Sequence, residues 1–334
     1  MNITVIGAGA IGGHVAARLA AVGESVTVVA RGEHLKAIRE RGLKLKEGGE
    51  EIVARVEATD RIAEVGRPDL VVLGVKAHQL APVAADVASI LTRETMVLTT
   101  QNGVPWWYFF KHGGPYDGHR LESVDPGGVI AGHLPVDAVI AGISYQAAEI
   151  ESPGVIRHVE GHRLPLAEID GSKSARVAAL AELFSRAGFK SPVLSHVRTE
   201  IWMKLWGNLT FNPISALARA TLEDICRFPP TRALAAAMMG EAQTVGEAFG
   251  IRFRLPIDKR IAGAEAIGPH KTSMLQDIEH RRAIEIDALL GSVIELARLA
   301  KVATPHLDAV YAATKLLAET VTGSGGGGGG GKSP

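Results

Sequence analysis

Three polar side chains recur at four-residue spacing in the stretch 198–212, and their types suit acid catalysis. They are Lys204, Asn208 and Asn212. If the stretch is an α-helix, each step of four overshoots a full turn by ~40°, so the three groups share one face over ~12 Å. A positioned ammonium can donate a proton to an alkoxide, and carboxamides can hold a carboxylate without competing for that proton. The alternative is an amphipathic helix whose polar face is solvated.

An N-terminal strand–turn–helix–strand unit could position a second group of functional atoms. The pattern predicts strands at 2–6 and 25–29 and an alanine-rich helix at 14–21. Between the first strand and the helix lies a G-x-G-x-x-G motif, whose glycines would make a tight turn, let the backbone approach a pyrophosphate and let the helix pack closely. It predicts a dinucleotide site formed by Gly7, Ala8, Gly9, Ala10, Ile11 and Gly12. The alternative is an ordinary tight turn.

The end of the second strand distinguishes the two nicotinamide cofactors. NAD sites usually place an acidic residue there to hold the ribose hydroxyls. This chain has no acid at 28–32 and carries Arg31 instead. A guanidinium suits a 2′-phosphate, so the sequence favours NADP(H).

Two further strands end in polar side chains. The runs 69–76 and 95–102 predict buried strands that end at Lys76 and Asn102. Ligands of open parallel sheets lie at the carboxyl ends of the strands, so we expect both side chains near the nicotinamide or the substrate. Alternatively, each could cap the helix that follows it.

The composition is that of a globular protein long enough for two domains. Its 334 residues are 46% hydrophobic, which allows a large core. Lys+Arg and Asp+Glu are both 36, so no net charge attracts nucleic acid or an anionic membrane, and no run of about 18 apolar residues predicts a membrane span. The single cysteine, Cys226, excludes an internal disulfide and fits a cytoplasmic protein. A homodimer is left open.

The pattern predicts an α/β fold in three parts. Residues 1–195 are expected to form an NADP-binding, Rossmann-type parallel-sheet domain, and residues 196–322 an all-helical substrate and catalytic domain. Residues 323–334 are predicted to be a flexible glycine-rich tail. Smaller features of the first part are a hairpin at 43–57 and a helix at 172–188.

Two segments of the first part have less certain roles. The aromatic residues 105–110 begin a segment that either folds onto the sheet or a second subunit, or forms a lid over the cleft. The stretch 136–169 alternates like antiparallel strands and contains His158 and His162. A spacing of four in a strand–turn segment does not put the two histidines on one face, so we expect no metal site there.

The helical part divides at its prolines and glycines into segments near 198–212, 230–249, 256–266, 273–301 and from residue 305 onward. Ser273 opens one of them with a Ser-x-x-Gln pattern typical of a capping box. A helix N-terminus with a free hydroxyl is also a natural seat for a substrate carboxylate, and the two roles can coexist. Glu285, considered by itself, is a solvated acid.

Taken together, these residues resemble the ketopantoate reductase (2-dehydropantoate 2-reductase) family over nearly the whole chain except the tail. The likeness rests on the glycine motif, Arg31, Lys76, Gln101-Asn102-Gly103, Glu200-x-Trp202-x-Lys204-Leu205-x-x-Asn208-x-x-x-Asn212-Pro213, and Ser273-Met-Leu-Gln-Asp277 followed by Glu285-Ile-Asp287. The last two blocks are far more specific than the glycine motif.

The resemblance implies NADPH-dependent reduction of a 2-oxo acid, with ketopantoate reduced to pantoate as the leading reaction. It implies Lys204 as the catalytic general acid, and Asn208, Asn212 and Ser273 as substrate contacts. It also implies that Asn102 and Ala148 touch the cofactor, and that Glu285 steadies either the lysine or the cofactor amide and ribose.

Three departures from the family pattern concern the substrate and not the cofactor. Some members carry a further asparagine where this chain has Arg219-Ala-Thr221, and His270 stands where asparagine is another family choice. The aromatic segment is also longer than a minimal member needs. The reaction class is therefore better supported than the substrate.

Two other functions compete with this interpretation. A β-hydroxyacid or opine-type dehydrogenase also joins a Rossmann domain to a helical one with a Lys-x-x-x-Asn pair, but the blocks at Ser273 and Glu285 argue against it. A non-catalytic NADP(H) sensor would not need Lys204 and Glu285 to meet.

Overall fold

The fold of the chain was obtained as a computed structural model, which describes residues 1–323. The chain divides into two compact units, Met1–Val197 and a second unit that begins at Arg198. The first unit is α/β, and the described part of the second is helical. The predicted fold class is thereby confirmed. The predicted tail lies outside the described residues except for Gly323, which ends the last helix.

A seven-stranded sheet forms the centre of the first unit. Its strands are β1 (Asn2–Ile6), β2 (Ser25–Val29), β5 (Glu57–Thr59), β6 (Leu70–Leu73), β7 (Met96–Thr99), β8 (Val139–Gly142) and β11 (Leu166–Glu168). The spatial order is β11-β8-β7-β6-β1-β2-β5, and every pair is parallel except β8 with β11. The inner strands are continuous apolar runs because helices and loops cover both faces of such a sheet. The first two predicted strands agree with the structure to the residue.

The helices of the first unit are α1 (Ala10–Ala21), α2 (Gly32–Arg41), α3 (Ala84–Ile90), α4 (Val129–His133) and α5 (Ala175–Arg186). The first begins four residues earlier than predicted, directly after the extended Gly9. The last is capped by Ser174, whose hydroxyl accepts the Val177 N–H at 3.1 Å. Apolar side chains of α1 and α5 pack with those of the strands into one core.

A second, four-stranded sheet packs against α1. Its strands are β3 (Leu43–Glu47), β4 (Glu50–Ala54), β9 (Ala147–Ser152) and β10 (Val155–Glu160), in the order β4-β3-β10-β9. The predicted hairpin is the pair of β3 and β4. The antiparallel prediction for 136–169 holds for β9 with β10 and for β8 with β11. It is wrong for β8 with β7 and for β10 with β3, which pair in parallel, as a crossover connection between two strands allows.

The aromatic segment after β7 is folded into the first unit. Trp106, Trp107, Tyr108 and Phe109 are all buried, and the Trp107 indole N–H donates to the Thr99 hydroxyl at 3.1 Å. That hydrogen bond attaches the segment to the end of β7. The structure therefore favours a loop packed on the sheet over a mobile lid.

The second unit is built from α6 (Val197–Ala218), α7 (Leu222–Arg227), α8 (Pro229–Ala248), α9 (Ile257–Glu265), α10 (Ser273–Glu279), α11 (Ser292–Ala300) and α12 (Pro305–Gly323). The short α7 was missed by the helical pattern. The single predicted segment 273–301 is wrong, because α10 ends at Glu279 and a π-helical turn, Asp287–Gly291, precedes α11. Among residues 1–323, none of the helices combines the length and apolarity needed to cross a bilayer.

Candidate functional site

The glycine turn between β1 and α1 has the backbone that a dinucleotide site requires. Gly7 has φ +94°, and a Cβ there would lie 2.8 Å from Cγ1 of Val75. A Cβ at Gly12 would lie 2.0 Å from the Gly7 carbonyl oxygen, whereas one at Gly9 would meet nothing within 4 Å. Crowding therefore requires glycine at two positions and leaves open space at the third. A phosphate could approach that open side and the amides at the start of α1.

The His34 side chain forms hydrogen bonds that anchor the glycine turn, and no sequence pattern indicated this role. Its Nδ1 accepts the Gly154 N–H at 3.0 Å, so the proton is on Nε2, which lies 2.8 Å from the Ala8 carbonyl oxygen. Burial lowers the pKa of His34, against the opposing effect of the Ala8 hydrogen bond. The neutral ring thus links the glycine turn to the turn between β9 and β10.

Arg31 stands where β2 passes into α2. It is exposed, has extended backbone and occupies the N-cap position of α2. The nearest acid along the chain is Glu33, in the first turn of the helix. The end of β2 therefore presents a guanidinium and no carboxylate of its own, as the sequence predicted.

Lys76 and Asn102 follow two neighbouring strands, β6 and β7. The Gln101 side-chain amide donates to the carbonyls of Leu73 at 2.9 Å and Val75 at 3.1 Å, which joins the two loops. Lys76 also precedes a single 3₁₀ turn, and its N–H donates to the Gln79 side-chain oxygen at 3.0 Å. Lys76 therefore occupies the N-cap position of that turn, and the hydrogen bond there joins its main-chain N–H to the Gln79 side chain. Both side chains are partly buried at the carboxyl edge of the sheet.

Ala148 lies on β9 of the smaller sheet and not on the seven-stranded sheet. It pairs with His158 of β10 and packs against the core that contains α1.

Helix α6 carries the polar stripe that the spacing predicted. Lys204 and Asn208 are partly buried, and Asn212 is 7% exposed. The neighbouring Trp206 is fully buried and donates its indole N–H to the Met239 carbonyl of α8 at 2.9 Å, which fixes the rotation of α6. The helix does not end at Asn212 but continues through Pro213 to Ala218. The three polar groups therefore lie on regular helix, a turn apart.

The Lys204 ammonium has an altered proton affinity. Burial lowers its pKa to about 8, and the nearby Glu285 carboxylate opposes that shift. Glu285 is partly buried in the non-helical segment between α10 and the π-helical turn. The two residues are therefore close enough to interact electrostatically, which the alternative of a non-catalytic sensor did not require.

The predicted capping role of Ser273 is wrong. Thr272 is the N-cap of α10, and its hydroxyl accepts the Leu275 N–H at 3.3 Å. Ser273 is the first helical residue and is exposed. Thr272 and Ser273 both carry a hydroxyl that could cap the helix, and in the structure Thr272 does so. The Ser273 hydroxyl is thus not needed as the cap.

The spacing argument about the two histidines also fails. The ring centroids of His158 and His162 lie 4.6 Å apart, and His14 of α1 is 4.7 Å from His158. The pairing of β10 shifts register between His158 and Glu160, and Gly161, with φ +79°, turns the chain back. Both irregularities bring side chains together that a regular strand would separate.

The comparisons with known proteins cover both units. Residues 3–108 match the family model described as ketopantoate reductase PanE/ApbA, and residues 196–318 match its C-terminal counterpart. A 2-dehydropantoate 2-reductase of Mesorhizobium japonicum is 52% identical over 319 residues, which cover 95% of this chain and 98% of the relative.

Two solved structures extend these similarities. One is a structure from Ralstonia solanacearum of a protein proposed to be a ketopantoate reductase. It has a TM-score of 0.92 and 41% sequence identity, and the match covers 96% of this chain and 98% of that chain. A ternary structure of a D-mandelate dehydrogenase with NADH and anilino(oxo)acetate has a TM-score of 0.82 at 25% identity, with 96% and 99% covered.

Proposed function

The chain belongs to the ketopantoate reductase family, and we propose on that premise that it reduces 2-dehydropantoate (ketopantoate) to pantoate with NADPH. The observation that carries the proposal is the desolvated Lys204 ammonium, which shares one face of α6 with Asn208 and Asn212. An ammonium and two carboxamides so arranged suit a 2-oxo acid, which presents a ketone to protonate and a carboxylate to hold.

We assign cofactor binding to the first unit, as expected for residues 1–195. The glycine turn would receive the pyrophosphate, because Gly9 faces open space and the amides at the start of α1 attract negative charge. Arg31 would bind the 2′-phosphate. Lys76 and Asn102 would lie beside the nicotinamide half, and Ala148 is assigned to the cofactor from the family resemblance only. NADPH, when bound, supplies the hydride for the reduction.

We assign the proton to Lys204. When a hydride adds to the ketone carbon, the carbonyl oxygen gains negative charge that an ammonium can stabilise and then neutralise by donating a proton. A pKa of about 8 leaves Lys204 charged at neutral pH and makes it a stronger acid than an exposed lysine. General acid catalysis of this kind typically contributes ~10²–10⁴ in rate.

Substrate orientation falls to the side chains around the lysine. Asn208 and Asn212, one and two turns along α6, would hold the carboxylate and hydroxyl groups of the substrate. Ser273, freed from capping by Thr272, would add a hydroxyl at the start of α10. Glu285 would keep Lys204 charged. The alternative role of Glu285, at the cofactor amide and ribose, is assigned from the family resemblance only.

A second candidate substrate is a 2-oxo acid with an aromatic side chain. It is favoured by the similarity to the D-mandelate dehydrogenase, whose structure contains NADH and anilino(oxo)acetate. Arg31 argues for NADPH in this chain, so the two functions differ in cofactor as well as substrate. The β-hydroxyacid or opine-type alternative shares the α/β unit, the helical unit and the Lys204–Asn208 pair, and the family matches argue against it.

The test is the oxidation of NADPH and of NADH with ketopantoate, phenylglyoxylate and smaller 2-oxo acids. We expect rapid, saturable turnover with NADPH and ketopantoate. Preference for NADH and phenylglyoxylate would favour the second candidate. Tight NADPH binding without turnover of any acid would favour the sensor.

We further propose a cytoplasmic location and a homodimer. Cys226 is the single cysteine and is buried, which fits a compartment where thiols stay reduced. Light scattering of the purified chain tests the assembly. A mass near twice 35.2 kDa is expected, and a mass near 35.2 kDa would contradict the dimer.

A further inference from the structure

Three potential metal ligands meet in the first unit, where no role in the proposed reaction requires them. His14 lies on α1, Glu47 ends β3 and His158 lies on β10. Glu47 Oε1 is 3.3 Å from His14 Nε2 and 3.0 Å from His158 Nδ1. The side chains are 0%, 9% and 6% exposed, respectively. We propose that His14, Glu47 and His158 bind a divalent transition-metal ion of the zinc type.

The hydrogen bonds around the two histidines direct lone pairs toward Glu47. His158 Nε2 lies 2.8 Å from the Gly161 carbonyl oxygen, so it donates its proton there and leaves the lone pair on Nδ1. His14 Nδ1 lies 2.6 Å from the side-chain oxygen of Gln146, which leaves the lone pair on Nε2. Two lone pairs and a carboxylate oxygen therefore converge without a proton between them. A cation resolves that arrangement.

Two atoms of the cluster are otherwise unsatisfied. His14 Nε2 and Glu47 Oε1 are buried and make no hydrogen bond among residues 1–323. Buried polar atoms of this kind are rare and often mark an ion or ligand. The second-sphere groups are also those of a metal site, since ligating histidines usually donate their other N–H to a carbonyl or carboxylate.

The distances fit a tetrahedral ion. Zinc lies about 2.0–2.1 Å from nitrogen and oxygen ligands, which places neighbouring tetrahedral ligands ~3.3 Å apart. The separation from Glu47 is 3.3 Å for His14 and 3.0 Å for His158, at and slightly below that value, and all three ligand atoms lie within 4.8 Å of one another. His162 Nδ1 is 3.5 Å from the same Glu47 oxygen and is a suitable fourth ligand. Its side chain is 41% exposed, which provides a route for the ion from solvent.

The local charges support one carboxylate ligand and neutral imidazoles. Arg18 forms an ion pair with Glu47 Oε2, which leaves Oε1 for the ion. Each histidine already uses one ring nitrogen in a hydrogen bond, His14 with Gln146 and His158 with Gly161, which leaves the other nitrogen as a ligand. Neutral imidazole is the form that binds metals.

The ion would have a structural role and not a catalytic one. It would join α1, which starts at the glycine turn, to β3 and β10 of the smaller sheet. Binding to the folded chain and not to the unfolded one raises thermal stability. The inference does not depend on the proposed reaction.

The experiment uses the full chain without a histidine tag, stripped with a chelator and dialysed against Zn²⁺. We expect one tightly bound Zn²⁺ per chain and a rise in Tm on addition of the ion. Co²⁺ in its place should give the intense visible bands of tetrahedral coordination. Glu47→Gln and His158→Ala should each weaken binding at least tenfold and remove the Tm shift. The matched control is His133→Ala, an exposed histidine of the same unit whose ring also contacts a main-chain carbonyl, and it should bind as the wild type does.

The competing explanation is a cluster held by hydrogen bonds only, in which the Gln146 amide is turned over and His14 donates its Nε2–H to Glu47. Under it, the wild type binds no stoichiometric ion, or the variants bind as well as the wild type. Either result would overturn the proposal. If Glu47→Gln does not fold, as judged by circular dichroism, His158→Ala decides the question.

Discussion

The glycine turn of the first unit and the polar stripe of the second are specified in opposite ways. At the turn, the decisive feature is the absence of side chains, because a Cβ at Gly12 would collide with the main chain while one at Gly9 would meet open space. On α6, the decisive feature is the side chains of Lys204, Asn208 and Asn212 on a packed helix. The first region is therefore sensitive to volume and the second to charge. Substitutions at the crowded glycines of the turn should therefore lower stability, whereas substitutions on α6 should lower turnover.

The largest effect is expected from Gly12→Ala. Its Cβ would lie 2.0 Å from a backbone oxygen that no rotamer change can move, so we expect a loss of about 3 kcal/mol or more in unfolding free energy, at the upper end of overpacking costs. Denaturant unfolding measures it. Gly9→Ala is the matched control, with nearly unchanged stability but weaker NADPH binding. Equal destabilisation by the two variants would contradict the difference in crowding.

Lys204→Ala should act on turnover and not on cofactor affinity. Loss of the proton donor should lower kcat at least a hundredfold, toward the low end of the range for a general acid, while the Kd for NADPH stays within about twofold. Steady-state kinetics and fluorescence titration measure the two quantities. Lys259→Ala, an exposed lysine of α9, should behave as the wild type. Near-normal turnover in Lys204→Ala would remove the lysine from the mechanism.

Arg31→Ala should change cofactor preference. The guanidinium at the end of β2 is exposed, so its loss should raise the Kd for NADPH by about tenfold and leave that for NADH nearly unchanged. The control is Arg39→Ala on the same helix, whose side chain donates to the Ala58 carbonyl at 2.9 Å. An unchanged NADPH/NADH ratio in Arg31→Ala would mean that another group binds the 2′-phosphate.

The smallest effect is expected from Glu285→Gln, which keeps the shape and removes the charge. The carboxylate raises the pKa of Lys204, so its loss should lower that pKa further and move the alkaline limb of the pH–rate profile to lower pH. An alkaline limb that stays in place or moves upward would contradict the interaction between the two residues.

The sequence was most informative where a local pattern decides the structure. β1 and β2 are short β-branched runs bounded by turn residues, and their limits were predicted to the residue. The stripe on α6 follows from spacing within a single helix. The sequence could not predict that Thr272 and not Ser273 caps α10, because either hydroxyl can accept the capping hydrogen bond. The tertiary position of α10 determines which residue does so.

Long-range convergence was not predictable from pattern. The cluster of His14, Glu47 and His158 joins a helix and two strands that are distant in sequence, and it depends on an irregularity in β10. The break between α10 and α11 was also invisible, because the apolar periodicity continues through it while the backbone does not. Glu285 lies in that break. Its proximity to Lys204 depends on tertiary structure and could not be predicted from the sequence pattern.

The measurement that tests the central claim most directly is the pH dependence of kcat/KM for ketopantoate reduction by the wild type. A general acid must carry its proton, so a lysine with a pKa of about 8 predicts a constant rate below that pH and a tenfold fall for each pH unit above it. The alkaline limb should be absent from the residual activity of Lys204→Ala. A wild-type profile that stays flat well above pH 8, or an identical limb in the variant, would contradict the assignment of Lys204 as the proton donor.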